Sequence, residues 1–433
     1  MTFRTIGIDL AIRGDHLAQI YDDGRPNGRA IRFRHDQPSL TAFVQTAIME
    51  PTGMSWFPVA HHLADAGVTV ARVKGKRVKA LRRYLSEHAK TDMADAQILA
   101  AMPSFGGPRL DPVHIPDPQS HALQRLTKQR SRFQNEIADA RRRLLDLIRW
   151  ASPRLEKILP DLGTRLSLAL LRKWFHPSTV LKARRVTLAK YIAAHAGGNH
   201  PRSGPFVETL ITRLREAAQY AQDLHGTHID FSELQFEIAT EIEGVLAKLQ
   251  TVGDLERHIA DLYKHLDPQA LLLSIPGVGR HLAPPLIGIL QNIERFHSEK
   301  TFTGFLWLFP RRADSGGVER AGQTLTQSGN NRIKHALYLA ADTARKTDPE
   351  LAELYWTLMT VKGHYHKQAL CAVANRIVNR IFSVLKRGKP YELRDREGNS
   401  ITLCEAKAII LERYTVGENI RAGRRSNRIE KTF

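Results

Sequence analysis

Cysteines and long apolar runs are scarce in this sequence. The 433 residues include two cysteines, Cys371 and Cys404, which are too few for a disulfide framework or a thiolate metal site and favour a reducing compartment. No apolar run reaches the ~18 residues of a membrane-spanning helix. The charged start of the chain also lacks the apolar core of a secretory leader. We therefore expect a cytoplasmic protein with no membrane partner.

Acidic residues are fewer than basic ones. The chain has 64 Lys and Arg against 44 Asp and Glu, which gives a formal net charge of +20. Because no hydrophobic anchor accompanies this charge, it favours nucleic acid over a membrane surface as the partner. The alternative is a protein that is basic without any polyanionic partner.

The chain changes character near residue 116. Residues 1–115 alternate strand and helix signals, beginning with a strand over Phe3–Leu10 that has apolar residues on one face and Gly7 and Asp9 on the other. This alternation predicts a mixed α/β domain. Residues 116–265 instead show apolar residues at alternating spacings of three and four, which predicts long coiled-coil helices.

The coiled-coil region has two apolar seams, one from Leu123 and one from Leu234, with a helical insert between them. A hairpin of helices, a dimerisation device and core packing within one chain all fit this pattern. Residues 266–392 are predicted to form a compact helical domain. Residues 393–433 are predicted to be a basic, partly disordered tail, with arginines clustered at positions 421, 424, 425 and 428.

Four carboxylates stand out in the first domain. Asp9 lies near the end of the first predicted strand, and Glu50 precedes a Pro-Thr-Gly turn at the end of another. Asp92 and Asp95 lie one turn apart at the start of a helix for which Thr91 is the candidate N-cap. Hard oxygen ligands gathered from three elements suit Mg²⁺ or Mn²⁺ and phosphoryl transfer. Taken singly, each acid is more often a solvated surface residue.

A basic segment lies between these acids. Val70–Lys90 has eight Lys and Arg against one acid, Glu87. We predict that it lies along a nucleic-acid backbone. The contact residues would be Arg72, Lys74, Lys76 and Arg77. A solvated helix face is the alternative interpretation.

The stretch LLLSIPGVGRHLAPPLIGIL, residues 271–290, has the form of a helix-hairpin-helix motif. Gly277 and Gly279 would let backbone N–H groups approach a phosphate closely. A plain corner between two helices is the alternative.

Two polar stretches follow that motif. RRADSGGVERAG places Ser315 before two glycines and after Arg311 and Arg312, and a serine there is either a turn residue or a nucleophile that needs activation. The next helix opens with SGNNRIKHALYLAA. Its candidate phosphate contacts are Asn330, Arg332 and Lys334.

These motifs together resemble the DEDD transposases, or recombinases, of the insertion sequence 110 family. The resemblance covers IGIDLA, MEPTG and KTDMADAQILA in the first domain, and SIPGVG, FPRRADSGG, QSGNNRIKHALY and LKRGKPYE in the C-terminal segment, in the family's order. It implies a chain of α/β plus all-α class, with a RuvC-like RNase H fold at the N-terminus. It further implies that Asp9, Glu50, Asp92 and Asp95 bind the metal and that Ser315 is the covalent nucleophile.

The resemblance implies an enzyme that recombines donor and target DNA in the bacterial nucleoid, guided by base pairing with an element-encoded RNA. The metal site would align a strand phosphate for attack by Ser315, and a homo-oligomer could share the site between protomers. One alternative is a RuvC-like, structure-specific nuclease that uses the four acids and water. The other is a nucleic-acid-binding protein without catalytic activity.

Overall fold

The structure is a computed structural model that forms two compact units, Met1–Asp117 and Pro118–Phe433. It describes residues 3–12, 14–34, 46–50, 53–85, 91–106, 110, 112–159, 161–197, 204–306, 314–315, 318–319, 326 and 329–424, of which 314–315 and 318–319 are described by their backbone alone. Among the described helices, none is both long and apolar enough to cross a bilayer.

The first unit is built on a mixed five-stranded sheet, as the sequence predicted. The strands are β1 (Arg4–Asp9), β2 (His16–Asp22), β3 (Arg25–Phe33), β4 (Thr46–Met49) and β5 (Thr69–Arg72), in the order β3-β2-β1-β4-β5. β1, β2 and β3 pair antiparallel, whereas β1, β4 and β5 run parallel to one another. The sheet therefore changes from antiparallel to parallel pairing at β1.

Helices cover both faces of this sheet. They are α1 (Trp56–Asp65), α2 (Gly75–Tyr84) and α3 (Asp92–Gly106). Ile6 and Ile8 of β1 are fully buried in the cluster that includes Leu63 of α1. Ile48 of β4 packs instead with Val78 of α2 and with residues of α3. Because successive side chains of a strand alternate between faces, Gly7, Asp9 and Glu50 belong to the α2–α3 side.

The second unit is almost wholly helical. Its first helices are α4 (Pro118–Ala151), α5 (Pro153–Ile158), α6 (Arg165–Trp174), α7 (Pro177–Lys182), α8 (Arg185–His195), α9 (Pro205–His225) and α10 (Phe231–Leu266). They are followed by α11 (Ala283–Leu290), α12 (Glu299–Leu306), β6 (Asp314–Ser315), β7 (Val318–Glu319), α13 (Asn331–Ala344), α14 (Pro349–Trp356), α15 (His366–Arg387), α16 (Leu403–Arg413) and α17 (Glu418–Gly423).

The two predicted seams pack on each other within one chain. α4 and α10 run antiparallel, since Arg143 of α4 donates to Glu241 of α10 at 2.9 Å while Arg130, earlier in α4, lies 3.9 Å from Glu256, later in α10. Arg130, the exception in the first seam, is buried and also hydrogen-bonds the carbonyl of His281 at 3.4 Å. The two seams therefore form a helical hairpin.

Two hydrophobic clusters divide the second unit. One joins the middle and far end of α4 and the first part of α10 to the insert helices α5–α9. The other surrounds α15, whose inward residues Val373, Ile377 and Ile381 are fully buried between α11, α13 and α14. The insert and the C-terminal helices thus have separate cores connected by one helical hairpin.

The predicted helix-hairpin-helix needs a correction. Its first helix is only a 3₁₀ turn, Leu272–Ser274, because the chain leaves α10 after Leu266 and bends at Ala270, which has a φ of 51°. The carboxylate of Asp267 accepts from the backbone N–H groups of Leu271 and Leu272, which fixes this break. The second helix, α11, carries its two prolines in the first turn, where the missing N–H groups cost little.

The predicted tail contains two helices before Arg424, and its partial disorder stays a prediction because residues 425–433 lie outside the described part. α16 begins with a capping box in which Thr402 and Glu405 exchange hydrogen bonds, and it buries Ala406 against the rest of the unit. After α17, the carbonyl of Arg424 accepts from the N–H of His366 at 2.9 Å, and its guanidinium donates to the carbonyl of Met359. Arginines 425 and 428 lie outside the described residues.

The contact between β1 and α3 yields a first prediction. A Cβ atom on Gly7 would stand 2.0 Å from the carbonyl oxygen of Ala96, so Gly7→Ala forces the helix off the strand. We expect a decrease of about 1–3 kcal/mol in the free energy of unfolding. Hydrogen–deuterium exchange of the peptides containing β1 and α3 localises the effect.

Gly14→Ala is the matched control, because the nearest atom to a Cβ there is 4.0 Å away. Equal stability of the two variants would contradict the close approach of α3 to β1.

Candidate active site

Asp9 and Glu50 end adjacent parallel strands. β1 and β4 pair with Ile8 opposite Met49, so the next residues in register are Asp9, the last residue of β1, and Glu50, the residue after β4. Neighbouring strands lie about 4.8 Å apart, and both residues belong to the same face of the sheet. The sequence prediction that each acid lies near a strand end is confirmed for this pair.

Helix α3 brings the other two acids to the same end of the sheet. Thr5 Oγ1 donates to the carbonyl of Ala100 at 3.0 Å, while Gly7 lies against Ala96, so α3 runs antiparallel to β1. From Ala96 to Asp92 the helix advances about 6 Å. From Gly7 to Asp9 the strand advances about 6.6 Å in the same direction. The first turn of α3 therefore lies at the Asp9 end of β1.

The start of α3 is fixed by the residue that the sequence suggested. Thr91 Oγ1 accepts from the backbone N–H of Ala94 at 3.1 Å, which caps the helix. Asp92 is exposed and Asp95 is partly buried in the first turn, where the helix dipole favours negative charge. The helix turn that carries both aspartates therefore lies at the end of the sheet that carries Asp9 and Glu50.

The basic helix α2 contacts two of the four carboxylates. Arg82 forms an ion pair with Asp95, and their side chains are only 16% and 13% exposed. A Cβ on Gly75, the first residue of α2, would lie 2.2 Å from Oε1 of Glu50, so that carboxylate occupies the space a side chain would need. α2 thus offsets the repulsion among the acids with one guanidinium and with the positive end of its own dipole.

The donor set suits a hard divalent cation, since all four side chains are carboxylates. Over the residues that the structure describes, which include all four acids, no three His, Cys, Asp or Glu side chains lie close enough together to share an ion. Asp95 would have to leave Arg82 before it could ligate one. Metal binding by Asp9, Glu50, Asp92 and Asp95 therefore stays a prediction.

The predicted nucleic-acid contacts of the first unit lie at the end of β5 and in α2. The guanidinium of Arg72 stacks 4.2 Å from the centroid of the Trp56 ring. Lys74 is the N-cap residue of α2, and Lys76 and Arg77 are exposed in its first turn. The segment is thus a basic surface, and residues 86–90 of it lie outside the described part.

Ser315 ends a two-residue strand. β6 pairs antiparallel with β7, with Ser315 opposite Val318 and Asp314 opposite Glu319. Two residues separate the innermost pair, which is the spacing of a tight hairpin connection. Only the backbone of Ser315 is described, and Arg311 and Arg312 lie outside the described residues, so their predicted roles stay predictions.

Three of the five other predicted contacts in the described part of the second unit, Gly277, Asn330 and Lys334, have structural roles. Gly277 has a φ of +84°, and a Cβ there would lie 2.3 Å from the carbonyl oxygen of Ala340 in α13, whereas Gly279 has open space around it. Asn330 caps α13 by accepting from the N–H of Arg332 at 3.0 Å, and Lys334 donates to the carbonyl of Thr326 at 2.7 Å. Arg332 itself is exposed. Nucleic-acid binding by these residues stays a prediction.

Sequence reasoning missed two residues that shape the acidic end of the sheet. Gly7 permits the close approach of α3, and a glycine inside a strand is a known signal for such an approach. Arg82 lies four residues after the buried Val78 in α2, on the inward side of the helix. A cation on an inward side needs an acidic partner, so the pattern could have predicted that Arg82 has one, but not that the partner is Asp95.

Two transposase family models match separate segments of the chain. A model for the DEDD transposase domain of the IS110 type matches residues 6–153, which include all four acids. A second model, described as "Transposase IS116/IS110/IS902 family", matches residues 269–356, which include Ser315.

Several individual proteins are similar to this chain. An "Insertion element IS110 uncharacterized 43.6 kDa protein" of Streptomyces coelicolor is 24% identical over 381 residues, which cover 87% of this chain and 90% of that protein. An IS116 protein of Streptomyces clavuligerus is 24% identical over 88% of this chain and 94% of its own length. A pilin gene-inverting protein of Moraxella lacunata is 24% identical over 30% of this chain and 40% of its own length.

The two family models match, in order, the segments that contain the motifs of the sequence analysis except LKRGKPYE, residues 385–392, which lies beyond the second model. The first runs from within β1 through the rest of the sheet, α1, α2 and α3 to the end of α4, the first helix of the helical hairpin. The second spans the segment from the 3₁₀ turn to α14, including the β6–β7 hairpin. The chain belongs to the IS110 family of insertion-sequence transposases.

Proposed function

We propose that this transposase is a site-specific recombinase that cuts and rejoins DNA by metal-assisted attack of a serine. The observation that carries the proposal is that Asp9, Glu50 and the first turn of α3, with Asp92 and Asp95, lie at one end of the sheet. A mixed five-stranded sheet with this element order supports a RuvC-like, RNase H-type domain. Two substrates are proposed, donor DNA and target DNA.

The four carboxylates would hold Mg²⁺ or Mn²⁺. A bound ion would supply Lewis-acid stabilisation of the charge that develops on a reacting phosphate. Asp9 and Glu50 are held by the sheet, and Asp92 by the capped first turn of α3, so three of the four donors need little backbone reorganisation. Asp95 must first exchange Arg82 for the ion. The released guanidinium is then available to a DNA phosphate.

Ser315 would be the nucleophile. Its hydroxyl oxygen would form a bond to phosphorus as one ester bond of the DNA backbone breaks, and the leaving deoxyribose oxygen takes up a proton. The phosphoserine link keeps the bond energy for rejoining. Arg311 and Arg312 would neutralise charge in the transition state. The proposal rests on the resemblance and on the position of Ser315 at the end of a two-stranded hairpin.

An element-encoded guide RNA would choose the sites by base pairing with donor and target DNA. This part of the proposal rests on the family resemblance and on the excess of 64 Lys and Arg over 44 Asp and Glu. A homo-oligomer is also proposed. It must use surfaces other than the two apolar seams, because α4 and α10 bury those seams against each other.

The metal site gives the second prediction. Asp92→Asn removes one charge from the donor set without disturbing Thr91, so Mn²⁺ affinity measured by electron paramagnetic resonance falls about 10-fold or more. Strand cleavage is lost with it, and EDTA abolishes cleavage by the wild type. Asp65→Asn is the control, because that side chain is 82% exposed at the end of α1. Wild-type Mn²⁺ affinity in Asp92→Asn would rule out the site.

The basic segment of α2 gives the third prediction. If Arg72, Lys74, Lys76 and Arg77 neutralise DNA phosphates, replacing all four by Ala makes the slope of log K against log salt shallower by about 0.9 for each phosphate that is no longer neutralised. Fluorescence anisotropy with a labelled duplex measures the slope.

The control for that experiment removes four cations elsewhere. A variant with Arg213, Lys248, Arg257 and Lys264 changed to Ala has the same net charge but alters α9 and α10, where acids outnumber bases. If both variants gave the same slope, the segment would be only a solvated face.

The nucleophile gives the fourth prediction and separates the two enzyme classes. Ser315→Ala should abolish cleavage, whereas the wild type should leave a covalent protein–DNA adduct that survives boiling in detergent and maps to the peptide containing Ser315. Ser328→Ala, at another Ser-Gly pair, is the control and should keep the adduct. Normal cleavage by Ser315→Ala with no adduct in the wild type would favour the alternative, a RuvC-like nuclease that uses water.

A further inference from the structure

Charge is unevenly divided among the helices that connect the two matched segments. Residues 153–197, which contain α5–α8, have nine Lys and Arg and two acids. Residues 205–266, which contain α9 and α10, have five Lys and Arg and eleven acids. Basic residues therefore predominate in α5–α8, and acidic residues predominate in α9 and α10.

Most of the basic side chains are not neutralised by the acidic helices. Among the described residues, two of the nine form an ion pair, Arg172 with Glu243 and Arg185 with Glu208. The other seven are all exposed, and no carboxylate in the described part of the chain lies within 4.0 Å of their charged groups. They are Arg154, Lys157, Arg165, Lys173, Lys182, Arg184 and Lys190. A solvated surface of ordinary composition mixes the two signs of charge about evenly, whereas residues 153–197 have nine cations and two acids.

The packing of α6 against α8 holds part of this surface in place. The rings of Trp174 and Tyr191 meet edge to face with centroids 5.8 Å apart, and the hydroxyl of Tyr191 donates to the carbonyl of Ala169 at 3.0 Å. The ammonium of Lys173 lies 5.1 Å from the centroid of the Tyr191 ring. Lys190 is the exposed neighbour of that tyrosine. Lys173 and Lys190 therefore lie on two helices that are joined by a packed aromatic pair and a hydrogen bond.

Arg215 of α9 stabilises the turn from α7 into α8 through hydrogen bonds. The guanidinium of Arg215 donates to the carbonyls of Val180, Leu181 and Ala183 at 3.2, 2.9 and 3.0 Å. These are the free carbonyls at the end of a helix, where a cation is favourable. Lys182 and Arg184 project from this fixed turn, so binding through them costs little ordering of the backbone.

We propose that the basic face formed by Lys173, Lys182, Arg184 and Lys190 docks the phosphate backbone of double-stranded DNA. The inference rests on the proposed function, because DNA is the substrate that recombination requires. The face carries no pattern of residues for reading bases, so the contact is independent of sequence. The excess of acids in α9 and α10 disfavours binding of the same duplex along those two helices.

The test measures salt-dependent binding of a labelled duplex of mixed sequence to the full chain. Changing Lys173, Lys182, Arg184 and Lys190 together to Ala should make the slope of log K against log salt shallower by up to about 3.6, which is about 0.9 for each lost contact. Charge-preserving changes, Lys→Arg at 173, 182 and 190 and Arg→Lys at 184, should keep the wild-type slope. The variant with Arg213, Lys248, Arg257 and Lys264 changed to Ala controls for net charge.

Two results would overturn the inference. The first is a wild-type slope in the four-alanine variant, or a slope no different from that of the net-charge control. The second is a slope that changes with an RNA hairpin but not with duplex DNA, since the face would then bind RNA. Circular dichroism of the variants confirms that α6–α8 remain folded.

The covalent adduct separates this inference from the proposed function. If the wild type forms the adduct while the four-alanine variant keeps its DNA slope, only the docking face is refuted. If the wild type forms no adduct but the variant has the shallower slope, the docking face stands and the serine mechanism fails. The four replaced residues are not part of the proposed catalytic machinery, so adduct formation at saturating protein concentration should persist in the variant.

Discussion

The close approach of α3 to β1 at Gly7 is the constraint on which the candidate active site depends. With no side chain at Gly7, the helix backbone reaches the strand, and its first turn comes to the end of the sheet where Asp9 lies. Any larger residue would move Asp92 and Asp95 away from Asp9 and Glu50. The position of the four acids in the first unit thus depends on the absence of a Cβ atom at Gly7.

That arrangement brings like charges together, and α2 offsets their repulsion. Arg82 pairs with Asp95, and the start of α2 at Gly75 receives the carboxylate of Glu50. The same helix carries cations that are proposed to bind DNA. α2 would therefore contact both the acids and the bound DNA. A phosphate that attracts Arg82 would free Asp95 for an ion, which would make metal binding and DNA binding cooperative.

Sequence patterns predicted the mixed sheet, the strand-end position of Asp9 and the cap at Thr91, because periodicity and capping are local. The pair of Arg82 and Asp95 depends on how two helices pack, which no local pattern specifies. The apolar sequence LLLSI predicts a helix in place of the 3₁₀ turn after α10. It does not show that the carboxylate of Asp267 accepts from the N–H groups of Leu271 and Leu272 and so fixes the break. The polar composition of the tail predicts partial disorder, although the Thr402–Glu405 capping box before an apolar stretch is a local signal for α16.

The position of a metal ion tests the proposed mechanism most directly. In crystals grown with Mn²⁺, anomalous difference density should show an ion about 2.1 Å from carboxylate oxygens of Asp9 and Asp92, with Asp95 released from Arg82. An absence of anomalous density at the end of β1 under saturating Mn²⁺, with Arg82 still bound to Asp95, would contradict it.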